Sequence, residues 1–85
     1  MRILIAEDDQ VLADGLLRSL RGTGYAVDQV GTGSEADAAL AAHEFDLVIL
    51  DLGLPRMHGL EVLRKLRGRG SSMPVLIPAR FPLAW

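Results

Sequence analysis

Three carboxylates stand where this 85-residue chain could do chemistry: Glu7 and Asp8 in Ile5-Ala6-Glu7-Asp8-Asp9, and Asp51 in Leu47-Val48-Ile49-Leu50-Asp51. Each acidic group follows directly on a short apolar run. Such runs, bounded by turn residues, read as strands buried on both faces. In open parallel sheets, ligands bind outside the carboxyl ends of the strands. If the two strands are neighbours, the acids approach one another. Two carboxylates ~5 Å apart, at an effective dielectric of about 20, repel by roughly 3 kcal/mol. No Arg or Lys adjoins either group in sequence to offset this. Protonation or a bound cation relieves it. Hard carboxylate oxygens suit Mg²⁺, which takes one or two carboxylates and keeps several waters. The competing reading is a solvated acidic rim, with Asp9 capping a helix and Asp51 opening a turn.

The elements that must hold these acids alternate. Arg2 to Ala6 is a strand by composition. Leu12, Leu16 and Leu20, with Ala13 and Leu17 beside them, make Gln10 to Arg21 an amphipathic helix. Asp9 is placed to cap it, and Gly22 and Gly24 to stop it. Tyr25 to Val30 alternates like an edge-proximal strand. Ser34-Glu35-Ala36-Asp37 matches a capping box, with Asp for the preferred Glu, and opens an alanine-rich helix to Ala42 or His43. After the Leu47 to Leu50 strand, Leu60, Leu63, Leu66 and Arg67 predict a third helix from about His58 to Arg67. Gly68 and Gly70 end it. Met73 to Ile77 is a fourth strand. Strand and helix in alternation predict an α/β fold with a parallel sheet and helices on both faces.

Composition bounds the rest. The length is that of one small domain. A net charge of −2 argues against a nucleic-acid-binding module. With no cysteine there is no disulfide framework and no thiolate metal site. No apolar run approaches membrane-spanning length, and the amino terminus turns acidic too soon for a signal peptide. A soluble, cytoplasmic protein is expected. The one basic cluster, Arg64 to Arg69, suits a solvated helix end.

The start Ile5-Ala6-Glu7-Asp8-Asp9, the run Asp51-Leu52-Gly53-Leu54-Pro55 and the run Gly59-Leu60-Glu61-Val62-Leu63 resemble the receiver domain of bacterial two-component response regulators. The likeness is to the OmpR/PhoB type and covers residues 1 to about 77. It implies a flavodoxin-like, doubly wound parallel sheet, here truncated after strand 4 and ordered 2-1-3-4. It implies that Asp51 accepts a phosphoryl group from a sensor histidine kinase. It also implies Mg²⁺ held directly by Asp8, Asp51 and the backbone carbonyl of Gly53, with Glu7 acting through water. The parent protein would regulate transcription.

The departures are specific. The family's Ser or Thr after strand 4 has no counterpart in Ile77-Pro78-Ala79-Arg80, and the only lysine, Lys65, lies on the third predicted helix. No residue therefore fills the Ser/Thr or Lys position, and poor phosphoryl acceptance, or none, is expected. His58 stands where the family has Asp or Asn, a poorer cap. Residues 1–77 are read as a partial receiver, 78–85 as an atypical apolar tail, with no DNA-binding domain. Three other readings compete. A haloacid-dehalogenase-type phosphatase needs a second Asp where Gly53 stands. A flavodoxin needs a phosphate-cradling loop where Glu7-Asp8-Asp9 would repel phosphate. A degenerate receiver fragment would act through protein contacts alone. Loss of a fifth strand would bare an edge and a face, to which Ile3, Ile5, Val48 and Leu50 are assigned. A homo-oligomer is the expected result.

Overall fold

The computed structural model describes residues 1–78. The tail assigned to 78–85 lies outside the described residues apart from Pro78, as do Ala79 and Arg80. The described residues form β1 (Arg2–Ala6), α1 (Gln10–Gly22), β2 (Ala26–Val30), α2 (Gly33–Ala42), β3 (Leu47–Leu50), α3 (Gly59–Gly68) and β4 (Val75–Leu76). The strands pair in parallel in the order β2-β1-β3-β4. This is the expected doubly wound arrangement.

The chain leaves β1 toward β2, then crosses back over β1 to β3. Crossovers of one hand then place α1 on one face and α2 and α3 on the other. Two packed clusters reflect this. Ile3, Ile5, Val27 and Ile49 meet Leu16, Leu17 and Leu20 of α1. Leu4, Ala6, Val48 and Leu50 meet Ala36 and Leu40 of α2 and Val62 and Leu66 of α3. The four residues assigned to a bared face are thus all buried, two on each side. Ile5 stands beside Ile49 in the register, not beside Val48 or Leu50. Strand neighbours at one register position share a face.

Local chemistry sets the helix ends. The Asp9 side chain accepts from the backbone N–H groups of Val11 and Leu12, as expected of a cap. α2 starts two residues early. Thr32, not Ser34, is its cap: Thr32 Oγ1 accepts from the Glu35 N–H at 3.1 Å and donates to Glu35 Oε1 at 3.0 Å. The Glu at the third helical position makes Thr32-Gly33-Ser34-Glu35 the better box. His58 occupies the cap position of α3 and makes no side-chain cap hydrogen bond. The buried face of α3 is Gly59, Val62 and Leu66, whereas Leu60 is exposed. β4 has two residues rather than five.

At the amino-terminal edge of the sheet, Arg2 works as a clamp. Its backbone N–H donates to Asp46 Oδ2 at 2.7 Å, its guanidinium pairs with Asp28 at 2.9 Å and lies 4.8 Å from the Phe45 ring centroid. The carboxyl-terminal edge is left to the acids. No helix among the described residues is long and apolar enough to cross a membrane.

Candidate functional site

The reversal of direction between β1 and β3 makes a crevice at the carboxyl ends of those two strands, where α/β sheets bind their ligands. Ala6 pairs with Leu50, so the residues that follow, Glu7 and Asp51, emerge side by side. The Glu7 N–H donates to the Val30 carbonyl at 3.1 Å, and the Asp51 N–H to the Ala6 carbonyl at 3.0 Å. Both acids are therefore carried by sheet hydrogen bonds. Glu7 is 3% and Asp51 5% exposed, whereas Asp8 is exposed.

One carboxylate oxygen from each of Glu7, Asp8 and Asp51 lies within 4.8 Å of the others. At that spacing and an effective dielectric of about 20, each pair of charges repels by roughly 3 kcal/mol. Three hard oxygen donors, the one on Asp8 belonging to an exposed residue, are a donor set that suits a divalent cation such as Mg²⁺. The residues present fit the ion, and the cluster could hold a metal.

The loop after β3 is built tightly. Asp51 Oδ1 accepts from the Gly53 N–H at 3.2 Å. The Gly59 N–H donates to the Leu52 carbonyl at 3.0 Å. A Cβ on Gly59 would lie 2.7 Å from Leu52 Cα and would run into the Asp51 carbonyl, so only glycine fits. Between these points the Met57 N–H donates to the Pro55 carbonyl at 2.8 Å, with Arg56 at φ 69. That is the strained γ-turn of positive φ. The same Pro55 carbonyl accepts from Gly33 at the start of α2 at 3.0 Å. On the other loop, Gln29 Nε2 donates to the Glu7 carbonyl at 3.0 Å, and the Asp9 N–H donates to Glu7 Oε1 at 3.1 Å.

The structure thus brings together Glu7, Asp8 and Asp51, with Gly53 bonded to Asp51, and assigns Asp9 to its helix. Sequence reading gave Gln29 and Gly33 no part near the site. Nothing local marks Gln29, whose partner is 22 residues away. Gly33 stood just before the expected start of its helix, and its place in the first turn, against Met57, shows only in the structure.

The response regulator receiver domain family matches residues 3–80 of the sequence. The response regulator protein PmrA of Pseudomonas aeruginosa is 52% identical over 77 residues, 91% of this chain and 35% of that protein. The transcriptional regulatory protein BasR of Escherichia coli is 46% identical over 77 residues, with 91% of this chain and 35% of that protein covered. The chain therefore spans about a third of these curated relatives. Among solved structures, it is similar to the receiver domain of a Pseudomonas aeruginosa sensor histidine kinase, crystallised with a magnesium ion coordinated in the active-site cleft. The TM-score is 0.89 at 27% identity, over 98% of this chain and 70% of that one. The non-phosphorylated HemR receiver domain of Leptospira biflexa gives a TM-score of 0.82 at 36% identity, over 89% of this chain and 61% of that one. With strand order, acidic cluster and sequence in agreement, the chain belongs to the response regulator receiver domain family.

Proposed function

We propose that Asp51 is the phosphoryl acceptor of this receiver, with a sensor histidine kinase as donor. The observation that carries the reading is the convergence of Glu7, Asp8 and Asp51 within 4.8 Å at the ends of adjacent strands. An Asp51 carboxylate oxygen attacks phosphorus as the P–N bond of a phosphohistidine breaks. The departing imidazole keeps the electron pair and takes up a proton, and an acyl phosphate remains on Asp51. Asp8, Asp51 and the Gly53 carbonyl would hold Mg²⁺ directly, with Glu7 acting through water. When bound, the ion offsets the negative charge shared by the carboxylates and the incoming phosphoryl oxygens. Burial of Glu7 and Asp51 lowers the local dielectric and strengthens that compensation.

Residues 1–77 act in this reading as part of a receiver, with 78–85 a distinct apolar segment. DNA would be reached through an effector segment outside these 85 residues, in a cytoplasmic setting. The 85 residues offer no hydroxyl after β4 and no lysine at a strand end. Each missing electrostatic stabiliser costs on the order of 3 kcal/mol in the transition state, so they should label slowly. These residues alone should also self-associate through the β4 side of the sheet, where Leu76 and Ile77 are exposed.

The test is mass spectrometry after treatment with a small phosphodonor and Mg²⁺, against Asp51→Asn. Slow labelling that Asp51→Asn abolishes supports the proposal. No label at all on the wild-type chain, or a label retained by Asp51→Asn, overturns the acceptor assignment. In the first case a receiver fold acting only by protein contacts is left. Thermal melts give a second readout: Mg²⁺ should raise the melting temperature of the wild type, and Asp8→Asn should remove most of that rise.

A further inference from the structure

We infer that the β2–α2 corner, residues 29–33, is a brace that sets the spacing of the two acid-bearing loops, with Gln29 and Gly33 as positioning residues. The inference rests on the reading of Glu7, Asp8 and Asp51 as the metal site. Neither residue carries a charge, and neither belongs to the acidic cluster.

The corner reaches both loops. Toward the first, the Gln29 side chain donates twice from Nε2, to the Glu7 carbonyl and to the Val30 carbonyl, each at 3.0 Å. The Val30 carbonyl also accepts the Glu7 N–H at 3.1 Å. Glu7 is therefore fastened to β2 at its N–H and, through Gln29, at its carbonyl. The bond to its carbonyl lies beyond the last paired position of the ladder, Ala6 with Val30. Without it, Glu7 keeps only its N–H bond to the Val30 carbonyl on the β2 side.

Toward the second loop, the buried Gly33 presses on the γ-turn. Its N–H shares the Pro55 carbonyl with Met57. A Cβ there would lie 2.8 Å from Met57 Cβ and collide with the Met57 carbonyl. A strained turn persists only where its surroundings over-determine it. Here the second donor on Pro55 and the close contact with Met57 both come from Gly33. The turn in turn fixes the path from Gly53 to Gly59. One short corner, opposite neither acid, thus fixes the loop of Glu7 and Asp8 with one hand and the loop of Gly53 with the other.

Partners that orient a metal's ligands change affinity by about 10- to 100-fold when removed. Gln29→Met keeps the bulk and loses both donated bonds. Gly33→Ala introduces the collision. The measurements are Mg²⁺ titration by calorimetry and amide hydrogen exchange of the metal-free protein. Leu66→Ala, a cavity in the core on the side of Leu40 and Phe45, serves as the control for lost stability. Gln29→Met should bind Mg²⁺ about tenfold more weakly and exchange faster at residues 7–9. Gly33→Ala should do the same with faster exchange at residues 52–58. Leu66→Ala should melt earlier and keep wild-type Mg²⁺ affinity.

Wild-type affinity and wild-type exchange in Gln29→Met overturn the brace, even where Gly33→Ala fails to fold. Equal weakening in Leu66→Ala also overturns it, since affinity would then follow stability alone. If the wild type takes up no Mg²⁺ while Gln29→Met still loosens residues 7–9, the metal reading falls and the brace stands on exchange.

Discussion

Thr32 decides where α2 begins. Its hydroxyl and the Glu35 carboxylate satisfy one another across the first turn, and the Glu35 N–H is paired as well. Replacing a capping Thr by Ala costs about 1 kcal/mol. Thr32→Ala should lower stability by that amount in urea unfolding. Ser34→Ala, at an exposed position inside the helix, should stay within about 0.5 kcal/mol of wild type. The reverse ranking would restore the Ser34 box. The two boxes overlap in sequence, and Ser34-Glu35-Ala36-Asp37 satisfies the pattern almost as well as Thr32-Gly33-Ser34-Glu35. Only the reach of Glu at the third position separates them. The acids were more legible. Glu7, Asp8 and Asp51 each follow an apolar run, and that position alone points to a strand end. Gln29 was not legible, because its role lies in a carbonyl on another strand.

At the scale of elements, the phase of a helix is what sequence spacing leaves open. Residues three and four apart describe a stripe, but Leu60-Leu63-Leu66 and Gly59-Val62-Leu66 share that spacing on α3. Contact settles the choice: Gly59 must sit under the Asp51 carbonyl, where no Cβ fits, and this turns Val62 and Leu66 inward. Leu66→Ala should therefore cost about 3 kcal/mol, the usual price of a core leucine, and Leu60→Ala less than about 0.5 kcal/mol. Denaturant midpoints measure both. Similar losses at the two sites would mean that α3 is rotated from the face described. Strand faces escaped the sequence for a related reason. Alternation along one strand is visible, but which residue of the next strand stands beside it depends on register.

For the whole molecule, sheet order was legible only through the resemblance, since alternation of strand and helix allows several orders. The observed order leaves β4 at one side of the described sheet. Leu76, 55% exposed, pairs with Ile49 on the α1 face, and Ile77 follows at 42%. An exposed strand edge with apolar side chains is a template for a second chain. Sedimentation of the 85 residues at micromolar concentration should show a dimer or larger, and Leu76→Lys should shift it toward monomer. A wild-type monomer would end the proposal of self-association.

The central place of β1 also bears on time. Its partner β3 is 44 residues along the chain (Ile3 with Leu47) against 24 for β2 (Arg2 with Ala26), so the closure that brings Glu7 and Asp8 to Asp51 is the costlier of the two and is expected to come late in folding. Closing that long loop comes before any reward from the ion. A cation that needs both strands then binds after the rate-limiting docking, and it acts on the return journey. In stopped-flow experiments Mg²⁺ should slow unfolding and leave the refolding rate unchanged, the behaviour of an interaction absent from the transition state. Faster refolding in Mg²⁺ would mean that the two strands meet earlier than this order implies.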